Sequence, residues 1–231
     1  MRAEGHYLKA LNRADLSLEA LRDILADRAA RKYHAVRRAL ASHPRTPRRE
    51  ALSLVSTLFW RDLAHLSADT KANPEVRRAA DRDLLRRLPE MALAERVDLA
   101  KSAGRGTLAF LRLDRDPRVV AAVLDNRFAT EPDVAQAAAR PETPAAVLEV
   151  IARHPRWSLR AGVRSALLRN PALPEPLALG FLTRATRDDL EGLASAPGVS
   201  RFLSLCAQRV LAQRSRGDYD PSSENSEIER G

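Results

Sequence analysis

The chain is 231 residues long, 45% apolar and 30% charged, enough at roughly 100–200 residues per domain for one or two domains with a real core, which excludes a wholly disordered protein. Aromatic residues make up 4%, with 9 Gly and 14 Pro, so the core must come from Leu, Ala and Val, which favours helices and argues against a β-sandwich or barrel. The net charge of +9 sits on a guanidinium-rich surface, since only Lys9, Lys32, Lys71 and Lys101 among 39 basic residues are lysines; the single Cys206 excludes an internal disulfide and any multi-cysteine zinc or iron–sulfur site, and fits a reducing compartment.

From the N-terminus, Met1 to Tyr7 lacks the apolar run of a signal peptide. The longest uncharged apolar stretch, 51–60, is about half the roughly twenty residues that a membrane helix needs. The expectation is a cytoplasmic protein with no membrane segment. Apolar residues then return at three- and four-residue intervals, as in Leu84, Leu85 and Leu88 or Val147, Val150 and Ile151. This periodicity predicts helices over 17–29, 33–42, 48–56, 58–67, 75–87, 90–102, 106–113, 117–125, 131–138, 144–153, 159–169, 174–183, 187–195 and 199–213. Thr46-Pro47 and Thr143-Pro144 read as an N-cap followed by proline at the first helical position. Thr130 with Asp133 and Thr186 with Asp189 have the spacing of a capping box, with Asp in place of Glu or Gln.

The junctions between these helices recur. A polar residue, a proline and a bulky apolar residue appear as Asn73-Pro74-Glu75-Val76, Asp116-Pro117-Arg118-Val119, His154-Pro155-Arg156-Trp157 and Ala196-Pro197-Gly198-Val199, with prolines 43, 38 and 42 residues apart. A second junction lies within each unit, at Ser42-His43-Pro44, Arg87-Leu88-Pro89, Asp125-Asn126 and Arg169-Asn170-Pro171. The best-matched units run from Val36 to Val76 and from Val163 to Val199: Val36-Arg37, Ala39-Leu40, Pro44, Pro47, Ala51-Leu52 and Asp62-Leu63 return as Val163-Arg164, Ala166-Leu167, Pro171, Pro174, Ala178-Leu179 and Asp189-Leu190. A short helical unit cannot bury its own apolar stripe, so neighbours must stack, and the expected fold is an all-α, right-handed α-solenoid of about four to five units of about 40 residues.

On unit length and the proline-then-valine junctions at Pro74 and Pro117 and their Trp157 variant after Pro155, residues 34–212 resemble HEAT and armadillo repeats. The double proline of Asn170-Pro171-Ala172-Leu173-Pro174 is similar to bacterial leucine-rich repeat variant proteins, although this chain lacks the cysteine cluster of that group's iron–sulfur members. The resemblance implies fold class only. The domain expectation is a helical N-terminal cap over 1–33, the solenoid over 34–214, and a disordered acidic tail over 215–231 carrying Asp218, Asp220, Glu224, Glu227 and Glu229.

No catalytic constellation is complete: there is no Gly-x-Ser-x-Gly, no Walker-type loop, and Gly104-Arg105-Gly106 reads as a helix break. His43 and His154 occupy junctions where other units place Asn or Asp, and read as turn residues. His65, four residues after Arg61, suits a polar helix face; no metal site and no cofactor is expected. Cys206 reads as a small buried apolar residue, and Trp157 as core. Trp60 is open between core and partner contact, with Phe59 available to fill the core while the indole faces outward.

The arginines carry two readings: solvated composition, or an anion-binding stripe of Arg61, Arg105, Arg112, Arg153 and Arg187 along a concave face. With Trp60 and His65, these residues form the candidate partner-binding set. The function expected is a non-enzymatic scaffold or adaptor that binds an acidic protein partner on a basic concave face. The alternative is a nucleic-acid-binding solenoid. Its extreme form resembles the HEAT-like alkylpurine DNA glycosylases, a resemblance that implies Asp62 stabilising a developing cation and Trp60 serving as a stacking wall.

Overall fold

The computed structural model describes residues 4–195 and 199–215, so the Pro197 junction and the tail from 216 onward lie outside the described residues. Within them every regular element is helical. They fall into two compact units, one of residues up to 111 together with 125–128, the other of 112–124 together with residues from 129 onward.

The first unit contains α1 (Glu4–Leu11), α2 (Leu18–Ala26), α3 (Arg28–Lys32), α4 (His34–Ser42), α5 (Arg48–Val55), α6 (Trp60–Ala68), α7 (Pro74–Arg87), a 3-10 turn (Leu88–Glu90), α8 (Leu93–Ser102) and α9 (Arg105–Leu111). The predicted helix over 17–29 is two helices. Asp27 ends α2 and then caps α3, its Oδ1 accepting from the Ala29 N–H at 2.8 Å. Helix α1 was absent from the sequence expectation; it packs on α4, buries Tyr7 and Leu11, and ties its Tyr7 hydroxyl to Asp27 at 2.7 Å. Helix α6 packs on α4, α7, α8 and α9, and Leu40, Leu63, Leu84, Leu99 and Leu111 are fully buried around it. Each such leucine contributes about 1.5–3 kcal/mol relative to an exposed one. Gly104 opens α9 because a Cβ there would lie 2.7 Å from the Ser67 carbonyl oxygen.

The second unit contains α10 (Pro117–Leu124), α11 (Glu131–Ala139), α12 (Ala145–Arg153), α13 (Ala161–Arg169), α14 (Glu175–Leu182), α15 (Arg187–Ser195) and α16 (Arg201–Ser215). Trp157 lies in its core, 1% exposed, with its indole N–H donating to the Leu124 carbonyl at 2.8 Å. Cys206 differs from expectation. It is half-buried, because α16 presents part of that side to solvent.

The internal match is closer than the sequence suggested. Helices α13, α14 and α15 begin and end 127 residues after α4, α5 and α6, and α16 begins 127 residues after α7. With that register Val76 corresponds to Leu203 rather than Val199, and both are buried. The details repeat as well. Arg87 donates to the Ser56 and Leu58 carbonyls, and Arg214 to those of Thr183 and Ala185. Arg37 donates to the Lys32 carbonyl and Arg164 to that of Leu159.

Six of the seven junctions among the described residues share one mechanism; Arg87-Leu88-Pro89 runs instead into a 3-10 turn. A junction side chain accepts the backbone N–H two residues on, from Asn73 to Glu75, Asp116 to Arg118, Asn126 to Phe128 and Asn170 to Ala172. His43 and His154 do the same through Nδ1 to Arg45 and Arg156, each at 3.2 Å, as turn residues should. The Thr-Pro starts sit one residue later than predicted. Pro47 and Pro144 are themselves the N-caps, with extended ψ of 132° and 145°, and their carbonyls accept from Ala51 and Leu148. The ring fixes φ near the value an N-cap tolerates, so the preceding threonine lies outside the helix. One Thr-Asp box is complete, with Asp189 and Thr186 bonding reciprocally; in the other, Asp133 accepts from both the N–H and the hydroxyl of Thr130.

Candidate functional site

The expected site residues divide between the two units. Trp60, Arg61, His65 and Arg105 belong to the first; Arg112, Arg153 and Arg187 belong to the second. In the second unit all three guanidinium groups hold carboxylates of the same unit. Arg112 is largely buried between Asp133 at 2.7 Å and the Gln136 side-chain oxygen at 2.5 Å, so it clamps α11 and offers nothing to a partner. Arg153 pairs with Glu149 and Arg187 with Glu191, each one helical turn away, and both remain exposed.

The first unit gathers its residues on α6 and α8. Trp60 donates its indole N–H to Glu95 Oε1 at 3.2 Å, and Glu95 Oε2 accepts the Ala92 N–H at 3.0 Å, so one carboxylate starts α8 and fixes the indole of α6. The Arg61 guanidinium lies over the Trp60 ring, 4.8 Å from its centroid, and reaches Asp98 at 3.7 Å; Lys101 reaches the same carboxylate at 3.6 Å. Arg105 is exposed. His65 is exposed one turn beyond Arg61 and lines an open recess of about 490 Å³ with Asp69, Lys101, Ser102, Arg127 and Phe128. The last turns of α6 and α8 supply part of that lining, so its cations complement helix C-termini. This face interleaves cations with Glu95, Asp98 and Asp69 and is mixed in charge.

Of the two aromatic residues at the start of α6, whose roles the sequence leaves open, Trp60 is the inner one. Phe59 is 63% exposed, while the indole is the partly buried, hydrogen-bonded member. The Phe59 ring lies against His34, centroids 4.0 Å apart and planes tilted 31°. His34 in turn presents Nε2 to Asp62 Oδ2 at 2.5 Å and Nδ1 to an Arg37 guanidinium nitrogen at 3.2 Å. Asp62, 8% exposed, also accepts from Arg38 at 3.2 Å.

This arrangement resembles a carboxylate–imidazole dyad, yet both imidazole nitrogens are committed. With the proton on Nε2 facing Asp62, Nδ1 is the acceptor for Arg37, and no lone pair is left to take a proton from a substrate. The Asp62 charge is already met by Arg38 and His34, which leaves little of it for a developing cation. The Trp60 indole is held by Glu95, away from the free stacking geometry the glycosylase resemblance implies. Among the described residues no three His, Cys, Asp or Glu side chains gather as a metal site, and no helix is long and apolar enough to cross a membrane.

The geometry defines an all-α, helical-repeat-like protein with an exposed aromatic residue at the start of α6. No protein family, curated protein or solved structure matches the chain.

Proposed function

We propose that this chain is a non-enzymatic, cytoplasmic adaptor of the α-solenoid kind that HEAT and armadillo units build, and that it binds a partner protein at the start of α6. The observation that carries this reading is Phe59. In the second copy the equivalent position is Thr186, which caps α15 through the Asp189 N–H. The first copy gives up that cap, worth about 1 kcal/mol, and exposes a phenyl ring instead. Departures from local rules concentrate where function requires them. Arg38 and Arg61, paired with Asp62 and Asp98 yet largely exposed, accompany the ring and leave donors for an acidic segment that carries an apolar side chain. The saturated His34–Asp62 pair supports the non-enzymatic part of the reading.

The test places a photo-crosslinking phenylalanine analogue at position 59 in a cell extract and resolves the adducts before and after nuclease. Discrete nuclease-resistant protein adducts, competed by unmodified protein but not by Phe59→Thr, are expected. Adducts that nuclease destroys would move the assignment to the nucleic-acid alternative, in which Phe59 serves as a stacking platform. No adducts at all would end the reading. Phe59→Thr restores the second copy's cap and loses a ring contact of similar size, so its stability should stay within about 1 kcal/mol of the parent.

A further inference from the structure

The outer surface of α14 and α16 departs from its first-copy counterpart in another way. On α5 and α7 that surface pairs Arg48 with Glu75 and exposes Arg78, with Leu52 at the Leu179 position. In the second copy Phe202 stands at the Glu75 position and Leu205 at the Arg78 position, 44% and 56% exposed, with Leu179 of the packed helix α14 at 39%. Scattered single apolar residues need no explanation, but Phe202 and Leu205 are three apart on one helix and so share a face.

The charge on α16 is one-sided, while the start of the packed helix α14 carries one exposed carboxylate, Glu175, at the Arg48 position. Helix α16 carries Arg201, Arg209 and Arg214 and no acidic residue. Arg214 is spent on the Thr183 and Ala185 carbonyls. Arg201 and Arg209 are exposed, and neither lies within ion-pair distance of a carboxylate among the described residues. Arg201, Leu205 and Arg209 are spaced by four, so the apolar stripe is flanked at both ends by guanidinium groups. A second copy of this chain would bring like charges together. An acidic segment with one apolar face would satisfy both the leucines and the arginines.

We propose that the α14–α16 surface is a docking site for an acidic amphipathic helix of a partner protein. Cys206, the chain's only thiol, lies one residue after Leu205 and four after Phe202, half-buried, and its alkylation rate reads occupancy of the face. The probe is a synthetic amphipathic peptide of about 18 residues, five helical turns, with Leu on one face and Glu on the other. Its control replaces every Glu by Lys and keeps the apolar face.

The Glu peptide is expected to slow Cys206 alkylation roughly tenfold at saturation, with the Lys peptide giving no protection. Phe202→Ser is expected to weaken the Glu peptide roughly tenfold, as loss of an anchor does, and Arg209→Glu several-fold with a gain for the Lys peptide. Both side chains are exposed, and unchanged far-UV circular dichroism with an unchanged melting temperature separates a binding loss from a folding loss; Leu205→Ser provides an independent apolar variant. No protection by the Glu peptide, equal protection by the Lys peptide, or undiminished binding in Phe202→Ser and Leu205→Ser would each overturn the proposal. So would peptide-free, concentration-dependent protection tracking self-association in sedimentation equilibrium, or equal protection by a thymidine oligonucleotide or anionic lipid vesicles.

Discussion

Helices α4 to α7 and α13 to α16 are two renderings of one framework, and what they share differs in kind from what they do not. Both keep the guanidinium that closes the open end of the second helix, Arg87 on the Ser56 and Leu58 carbonyls and Arg214 on those of Thr183 and Ala185. Both keep Arg37 or Arg164 on the carbonyl five residues earlier, and a turn side chain at His43 or Asn170. They part at the start of the third helix, where Phe59, Trp60 and Arg61 correspond to Thr186, Arg187 and Asp188, and on the outer face of the fourth, where Glu75 and Arg78 correspond to Phe202 and Leu205. The shared groups satisfy backbone carbonyls and turn N–H groups, which any copy must do. Most of the divergent groups face solvent, where nothing in the fold dictates them; Trp60, tied to Glu95, is a partly buried exception. Asp62 and Asp189 show the same split within one conserved residue: one is buried against His34 and Arg38, the other is part of a cap.

The largest expected effect breaks a junction. The Asn170 side chain is buried and its amide donates to both the Ala138 and Arg140 carbonyls at 2.7 Å while its oxygen takes the Ala172 N–H. Asn170→Ala leaves one buried carbonyl, one partly buried carbonyl and a turn N–H unpaired, and should cost about 2–4 kcal/mol in urea unfolding. His43→Ala in the equivalent turn removes the bond to the Arg45 N–H and should cost about 1 kcal/mol. Equal losses would mean that the inter-helix bonds of Asn170 contribute little.

Next come the two arginine clamps. Arg87 also meets the buried Asp83, which Arg86 shares, whereas the position equivalent to Asp83 in the second copy is Val210. Arg87→Ala therefore strips carbonyls and weakens the compensation of a buried carboxylate, and should cost about 2–3 kcal/mol. Arg214→Ala strips carbonyls alone, at about 1 kcal/mol. The companion change Asp83→Val, which imports the second copy's residue, should bring the Arg87 loss down toward the Arg214 value.

These partners explain what the sequence made legible. Helix positions followed from leucine and valine spacing, and most of their ends from Pro, Asn, Asp and His, because most junctions are closed by a side chain two positions away. Helix α1 was missed because Gly5 interrupts a short apolar pattern whose burial depends on α4. The register slipped at Val199 because the Pro-x-Val motif at Pro197 drew the match, whereas the conserved quantity is the buried slot held by Val76 and Leu203. On the site, Trp60, Arg61 and His65 were placed on one helix by spacing alone. That Arg112 is already consumed was not readable, since Asp133 lies 21 residues away and reaches it only through packing. Nor was the choice between Phe59 and Trp60 as the exposed ring, which depends on Glu95 and His34 arriving from other helices.

The smallest expected effect tests the one turn side chain of the comparison that titrates. Burial, and after it the Arg45 guanidinium, hold the His43 imidazole below its ordinary value near 6.5. The turn needs this neutral state, because Nδ1 must accept the Arg45 N–H at 3.2 Å. The unfolded chain therefore takes up a proton at a pH where the folded chain resists it. The contribution of His43 is complete above the ordinary imidazole value, declines as pH falls through it, and levels off once pH drops below the depressed folded value. His43→Asn imports the second copy's residue, keeps an acceptor at the same position and removes the titration. Melted side by side at pH 7.5 and pH 5, the variant should gain on the parent at the lower pH by a small, reproducible margin. A difference that stays constant between the two pH values would show that His43 is protonated equally in both states, and that its turn bond is not what separates it from Asn170.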